Sequence, residues 1–128
     1  MDTSDRGTYL LCFRLILERC DANLIGGFGR TALHEVAAMG EHVREEEAEA
    51  FARALLDAGA RMDVRDDILK STPLGWACRW GRAGVARAML ERGADAIEGD
   101  AAPWARPRAW AAKMGNDGVL GVLREHGA

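Results

Sequence analysis

Cysteine is scarce in this sequence, with three residues among 128 and no CxxC pair. An odd number of cysteines without that spacing, Cys12, Cys20 and Cys78, argues against a disulfide framework and against a zinc cluster. Reduced thiols in a cytosol fit this pattern. We therefore expect a cytoplasmic protein with no bound metal and no cofactor.

Long apolar runs and an excess of basic residues are also missing. The most apolar early segment, residues 9–17, contains Arg14 and is far shorter than the roughly 20 residues of a membrane span. It lacks a basic leader followed by a small-residue cleavage site, which argues against a secretion signal. A net charge of −3 gives no general attraction for nucleic acid or anionic lipid. We expect neither as a partner.

The bulk composition is that of one globular domain. Apolar residues make up 48% of the sequence and charged residues 29%, which excludes a disordered or membrane-embedded chain. At 128 residues the chain is large enough for a core but too short to divide comfortably into two domains. We therefore predict a single domain over residues 1–128. Its alanine, arginine and glycine content fits a GC-rich bacterial genome.

A segment of ten residues recurs along the chain. "TPLGWACRWG" at residues 72–81 aligns with "RPRAWAAKMG" at 106–115, a spacing of 34 residues, and "TALHEVAAMG" at 31–40 fits the same frame. A second apolar segment follows each glycine, at residues 50–60, 85–95 and 119–128. A fixed period of this length with two apolar segments predicts an all-α solenoid of stacked helix pairs.

The residues at the ends of these segments predict helix boundaries. Thr72 is suited to cap a helix, Pro73 to its first position and Gly81 to its end. Helices of about ten residues are unstable alone, so stacking must stabilise them. The spacing from Thr31 to Thr72 exceeds the period by seven residues, and we expect the excess at residues 41–50 to lengthen the following helix.

The repeated segments resemble the ankyrin repeat, whose first helix opens with T-P-L-H-x-A-A and ends at glycine. "GRTALHEVAAMG" and "STPLGWACRWG" are close matches, and "LLDAGARMD" and "MLERGAD" resemble the second helix and the turn after it. The resemblance implies helix-turn-helix units with hairpin-like loops. It divides the chain into a partial N-terminal unit at about 8–26 and repeats at about 27–67, 68–101 and 102–128.

This sequence departs from the family pattern in two places. The family histidine is present at His34 but is replaced by Gly75 and Ala109, so the hydrogen bonds it makes between neighbouring loops are in doubt there. The last unit carries Arg106 and Arg108 where threonine and leucine are usual. Polar substitution of this kind suits a C-terminal capping unit, whose outer face has no neighbour.

Two patterns that suggest chemistry have simpler explanations. "HEVAAMGEH" differs from the zinc-protease HExxH because Ala38 stands where the second histidine would be needed, so His34 is interpreted as a loop-stabilising residue. Cys78 lies beside Arg79, which could activate a thiol. It occupies, however, a small-residue position equivalent to Ala37 and Ala112, which favours a spacer in the core. We expect no catalytic residue and no metal ligand.

The resemblance also implies a binding face. In ankyrin repeats the two positions before the first-helix glycine, and the loop before the threonine, tend to face the concave side. Carried over position by position, they are Phe28, Arg30, Ala38, Met39, Ile68, Leu69, Ser71, Arg79, Trp80, Trp104, Lys113 and Met114. This aromatic, methionine and cationic composition is typical of binding hot spots. The alternative is that Trp80 and Trp104 pack against adjacent loops. Trp76 and Trp110 lie one turn earlier and are predicted to be half-buried.

These observations favour a non-catalytic module that binds another protein through its concave face and loop tips. Two alternatives stay open. The incomplete N-terminal unit could bury its apolar face against a second copy, which would make the chain a self-associating structural module. A thiol-dependent enzyme using Cys78 is the third hypothesis.

Overall fold

The computed structural model of the protein describes Asn23, residues 25–38 and residues 43–128. Over these ranges the chain is helical and contains no strand, which confirms the predicted all-α class. Six helices follow one another in pairs: α1 (Ala32–Ala37) and α2 (Glu45–Asp57), α3 (Pro73–Trp80) and α4 (Ala83–Glu91), α5 (Pro107–Met114) and α6 (Asp117–Glu125). Short 3-10 turns at Gly27–Gly29 and Pro103–Ala105 precede α1 and α5. The predicted N-terminal unit lies largely outside the described residues.

The helix pairs stack in two layers. In one layer α3 packs between α1 and α5, and in the other α4 packs between α2 and α6. Each pair is also packed within itself. Contacts between successive units are the defining feature of a solenoid, so the predicted architecture is confirmed. None of the helices in the described ranges has the length and apolar character needed to cross a bilayer.

Small residues and leucines fill the space between the layers. Ala37, Ala77 and Ala111 lie on the three first helices, and each is fully buried. Because their side chains end at Cβ, neighbouring helices can approach closely. Six leucines of the helices are buried in the same core: Leu33, Leu55, Leu56, Leu74, Leu90 and Leu123. This apolar burial is the main source of stability for helices that are too short to persist alone.

The helix boundaries follow the local chemistry. At the start of α3 the Gly75 N–H donates to Thr72 Oγ1 at 3.2 Å and Pro73 takes the first helical position. At its end Gly81 has a φ of 72°, a left-handed conformation that costs glycine little. Helix α2 has 13 residues against nine in α4. The extra residues do lengthen the second helix of that unit at its N-terminus.

A buried carboxylate shapes the loop before α3. Asp66 is 1% exposed. It accepts hydrogen bonds from the backbone N–H groups of Ile68 at 3.0 Å, Leu69 at 2.7 Å and Ser71 at 3.0 Å. The indole Nε1–H of Trp76 donates a fourth at 2.9 Å. Burial by itself would raise the pKa of Asp66, but these donors outweigh it and the pKa is lowered.

Ser71 then joins three units. Its carbonyl oxygen lies 3.0 Å from Nε2 of His34, whose Nδ1 accepts the Thr31 N–H at 3.1 Å, so Nε2 carries the proton and donates. Its hydroxyl accepts the indole N–H of Trp110 at 2.8 Å and lies 3.3 Å from the Ala105 carbonyl oxygen. His34 therefore stabilises the neighbouring loop, as predicted.

The loss of the family histidine at position 75 is compensated by this arrangement. A Cβ on Gly75 would lie 3.0 Å from Cβ of Ser71, so the glycine leaves space for the serine. Trp110, from the next unit, then supplies the hydrogen bond between units by donating to the Ser71 hydroxyl. Thr72 adds a bond within its own unit, from the start of α3 to the loop after α4, because its hydroxyl donates to Glu98 Oε2 at 2.6 Å.

Replacing the buried carboxylate should weaken the whole stack. In Asp66→Asn the amide keeps the shape but places an NH2 group, itself a donor, against two of the four donors. We expect the free energy of unfolding to fall by about 2 to 3 kcal/mol, the scale of hydrogen bonds to a charged group. Urea unfolding followed by circular dichroism measures the change. The exposed neighbour offers a matched control, Asp67→Asn, expected within about 0.5 kcal/mol of wild type. Equal losses in both variants would contradict this role of Asp66.

The buried histidine should make stability depend on pH. Burial lowers the pKa of His34 against the opposing effect of its bond to Ser71, so the folded ring is neutral. Below about pH 6.5 the unfolded chain takes up this proton and the folded chain does not, so stability falls as pH falls. Thermal unfolding across this range should show a shallower dependence in His34→Gln. His126→Gln, at the exposed end of α6, should keep the wild-type slope, and a similar flattening there would refute the assignment.

Candidate functional site

The predicted binding residues cluster at the ends of the first helices and in the loops before them. Trp80 and Met114 are the last residues of α3 and α5, and both are exposed. Phe28 and Trp104 lie in the 3-10 turns that precede α1 and α5 and are exposed as well. Large apolar side chains from successive units therefore reach the surface at equivalent places.

The best-defined part of this surface is arranged around the ring of Trp110, which is itself buried. The guanidinium carbon of Arg79 lies 4.7 Å from the centroid of the Trp110 ring and 5.1 Å from that of Trp80. Lys113 Nζ lies 5.6 Å from the Trp110 ring, and Trp104 meets the same ring edge to face at 6.1 Å. We call these five residues, Arg79, Trp80, Trp104, Trp110 and Lys113, the tryptophan strip.

The tryptophan strip continues toward α1 through a second ring contact. The rings of Trp76 and Trp80 are 5.1 Å apart, and the guanidinium carbon of Arg30 lies 5.9 Å from the Trp76 ring. An open pocket of about 310 Å³ lies beside Arg30, Trp76 and Trp80. Its lining combines aromatic, aliphatic and cationic groups from Arg30, Ala38, Asp66, Ile68, Leu69, Trp76, Arg79 and Trp80.

The cations of the tryptophan strip differ from four arginines elsewhere on the surface. Arg53, Arg61, Arg65 and Arg92 each contact an aspartate or a glutamate at salt-bridge distance. Among the residues that the structure describes, Arg79 and Lys113 have no such carboxylate, and their neighbours are tryptophan rings. A cation over an indole ring is stabilised by the ring quadrupole while its polar edge stays free to bind.

Three residues predicted to face a partner are not exposed in this way or lie outside the described residues. Ser71 is fully buried, because its hydroxyl is used by Trp110 and its backbone by Asp66 and His34, so it does not face a partner. Leu69 is only partly exposed and packs against the core. Met39 lies outside the described residues.

Trp76 and Trp110 are more deeply buried than predicted. Trp76 and Trp110, expected to be half-buried, are 5% and 4% exposed, and both indole N–H groups are hydrogen-bonded. Trp80 and Trp104 each rest against one of these buried rings and expose their other side. Trp80 and Trp104 therefore pack against buried rings and are still accessible to a partner. The part of Trp110 in the site was missed, although its i, i+3 spacing to Lys113 is a signal that the two share a helix face.

The groups tested for catalytic or metal chemistry do not lie on this surface. Cys78 is fully buried, and burial raises the pKa of its thiol far above the ordinary value, which favours the spacer interpretation. Over the described parts of the chain, no group of three or more histidine, cysteine, aspartate or glutamate side chains is placed to hold a metal ion. The tryptophan strip offers ring faces and cationic edges.

Comparison with known proteins identifies the repeat. A family model described as ankyrin repeats (3 copies) matches residues 1–100. The match ends before α5 and α6, although this helix pair stacks on α3 and α4 as those stack on α1 and α2. A search of curated proteins found no match to the sequence.

A labelling experiment tests whether Cys78 is reactive. In Cys12→Ser/Cys20→Ser the only remaining thiol is Cys78. We expect alkylation by iodoacetamide at neutral pH to be at least about a hundredfold slower in the folded protein than in urea, because the thiol must first be exposed by opening of the fold. Mass spectrometry of timed samples gives both rates. Comparable rates in the two states would revive the enzyme hypothesis.

Proposed function

The chain belongs to the ankyrin-repeat family, and we propose that it is a non-catalytic module that binds another protein through the tryptophan strip and the loops beside it. Ankyrin repeats are generally protein interaction modules. The proposed surface is the concave side, with Phe28, Arg30 and Met114 extending it beyond the tryptophan strip. The fold alone does not select a partner, so the proposal depends on the chemistry of these residues.

The observation that carries the proposal is the exposure of Trp80 and Trp104 beside buried tryptophans. Trp80 is 43% exposed and Trp104 is 54% exposed. Burying such a ring against a partner removes a large apolar area from water, and tryptophan and arginine are the residues most enriched in hot spots. Within the described residues, the tryptophan strip holds both types side by side.

Preorganisation supports the same conclusion. Each exposed ring is already in contact with a second ring, and Arg79 lies against two. Side chains held in this way lose little rotamer freedom when a partner docks, which lowers the entropy cost of binding. Helix α3, which carries Arg79 and Trp80, is packed between α1 and α5, and α5 is packed against α3.

The other two hypotheses have less support. Self-association was inferred from the partial N-terminal unit at about residues 8–26, which is largely outside the described part of the chain. Catalysis by Cys78 requires an accessible thiolate, and burial opposes both the access and the ionisation.

Affinity capture from the native lysate tests the proposal. We expect Trp80→Ala and Arg79→Ala to reduce recovery of the wild-type partners at least about tenfold, the effect of losing a hot spot. Arg87→Ala is the matched control, because Arg87 is exposed on α4, in the other helix layer. Quantitative mass spectrometry of the captured proteins measures recovery. Circular dichroism establishes first that each variant is folded.

The proposal predicts loss of partner recovery for Trp80→Ala and Arg79→Ala and none for Arg87→Ala. Equal recovery of the same partners by wild type, Trp80→Ala and Arg79→Ala would show that the tryptophan strip is not the binding surface. Loss of recovery with Arg87→Ala alone would place the interface on the opposite layer.

A further inference from the structure

Among the described residues, the two cations of the tryptophan strip have no carboxylate partner, whereas several arginines elsewhere on the surface have one. Arg61 donates two hydrogen bonds to Asp63, at 3.0 and 2.8 Å, and Arg65 donates two to Asp100, at 3.3 and 3.1 Å. Arg79 and Lys113 make no comparable contact with any described residue. Their positions are determined by the rings of Trp80 and Trp110.

No described residue accepts a hydrogen bond from the Arg79 guanidinium, which lies over the rings of Trp80 and Trp110. A guanidinium presents its N–H groups in its own plane, so a ring against its face does not occupy them. The planar edge matches a carboxylate with two parallel hydrogen bonds. Because the rings also exclude water from part of the group, such a pair is stronger than one in open solvent.

The two charges are close enough to act together. Arg79 and Lys113 lie 4.7 and 5.6 Å from the same ring centroid, so they are separated by no more than about 10 Å. In an extended peptide, side chains two residues apart point to the same side and are about 7 Å apart. Two acidic residues at i and i+2 therefore match this pair of cations.

We propose that the tryptophan strip recognises an acidic peptide segment, in which aspartate or glutamate side chains pair with Arg79 and Lys113 while an adjacent apolar side chain packs on Trp80 or Trp104. This inference depends on the proposed function and specifies its partner. The local charge supports it, because a cationic patch lies on a chain whose net charge is −3. Complementary charge across an interface selects the partner and speeds the encounter.

A display library of random-sequence peptides tests the inference directly. We expect the wild-type protein to enrich sequences with acidic residues spaced by two, next to an apolar or aromatic residue. In the charge-reversed variant Lys113→Glu, enrichment at one of the two acidic positions should shift to lysine or arginine. Lys113 is exposed, so the substitution should not affect folding. Arg87→Glu, with the same change in charge on α4, should select the same peptides as wild type.

Affinities of one enriched peptide then measure each contact. Fluorescence polarisation should show about tenfold weaker binding for Arg79→Gln and about threefold for Lys113→Gln, since bidentate pairs contribute more than single exposed ones. Replacing one glutamate of the peptide with glutamine should weaken binding to the wild-type protein as much as replacing the cation that pairs with that glutamate. Higher salt should weaken wild-type binding more than that of Arg79→Gln.

Several results would overturn the inference. They are enrichment of neutral or basic peptides, an acidic preference that persists at both positions in Lys113→Glu, no enrichment at all, or tighter binding when phosphoserine replaces the acidic residues. If Trp80→Ala abolishes capture but the peptides show no acidic bias, only the acidic specificity fails. If Trp80→Ala changes neither capture nor peptide binding, the proposed function fails as well.

Discussion

The buried carboxylate of Asp66 is the interaction on which the rest of the structure depends. A carboxylate away from water is costly unless it is hydrogen-bonded, and this one receives three backbone N–H groups and one indole. Those bonds give the loop before α3 its shape and turn Ser71 inward. From there Ser71 reaches His34 in one neighbouring unit and Trp110 in the other. A single charged group thereby aligns three units.

The four tryptophans fall into a buried pair with a structural role and an exposed pair that belongs to the proposed binding surface. Trp76 and Trp110 are buried, and their indole N–H groups join the hydrogen bonds around Asp66 and Ser71. Trp80 and Trp104 rest on those rings and expose their other side. The interior bonds therefore determine the position of the surface rings. A recognition surface built on such support is rigid before it meets a partner, which is the condition for affinity without a large entropy cost.

Local signals in the sequence were enough to predict the repeat and its helix boundaries. The period of 34 residues, the cap at Thr72 and the ending at Gly81 involve neighbours in the chain or one repeated spacing. The orientation of Ser71 could not be predicted in this way, because it depends on Asp66 and on Trp110, which is 39 residues away. Pattern matching placed Ser71 on the surface. The contact of Arg79 with the rings of Trp80 and Trp110 likewise depends on how closely two units approach.

Gly75 makes the second repeat specific to its neighbours. A side chain at this position would meet Ser71, so restoring the histidine of the family consensus would displace the serine that receives Trp110. The second and third units are thus a matched pair. For protein engineering this means that they cannot be exchanged singly for consensus repeats, as modular designs assume. Grafting the tryptophan strip onto another solenoid would require transferring both units together with the loop that contains Asp66.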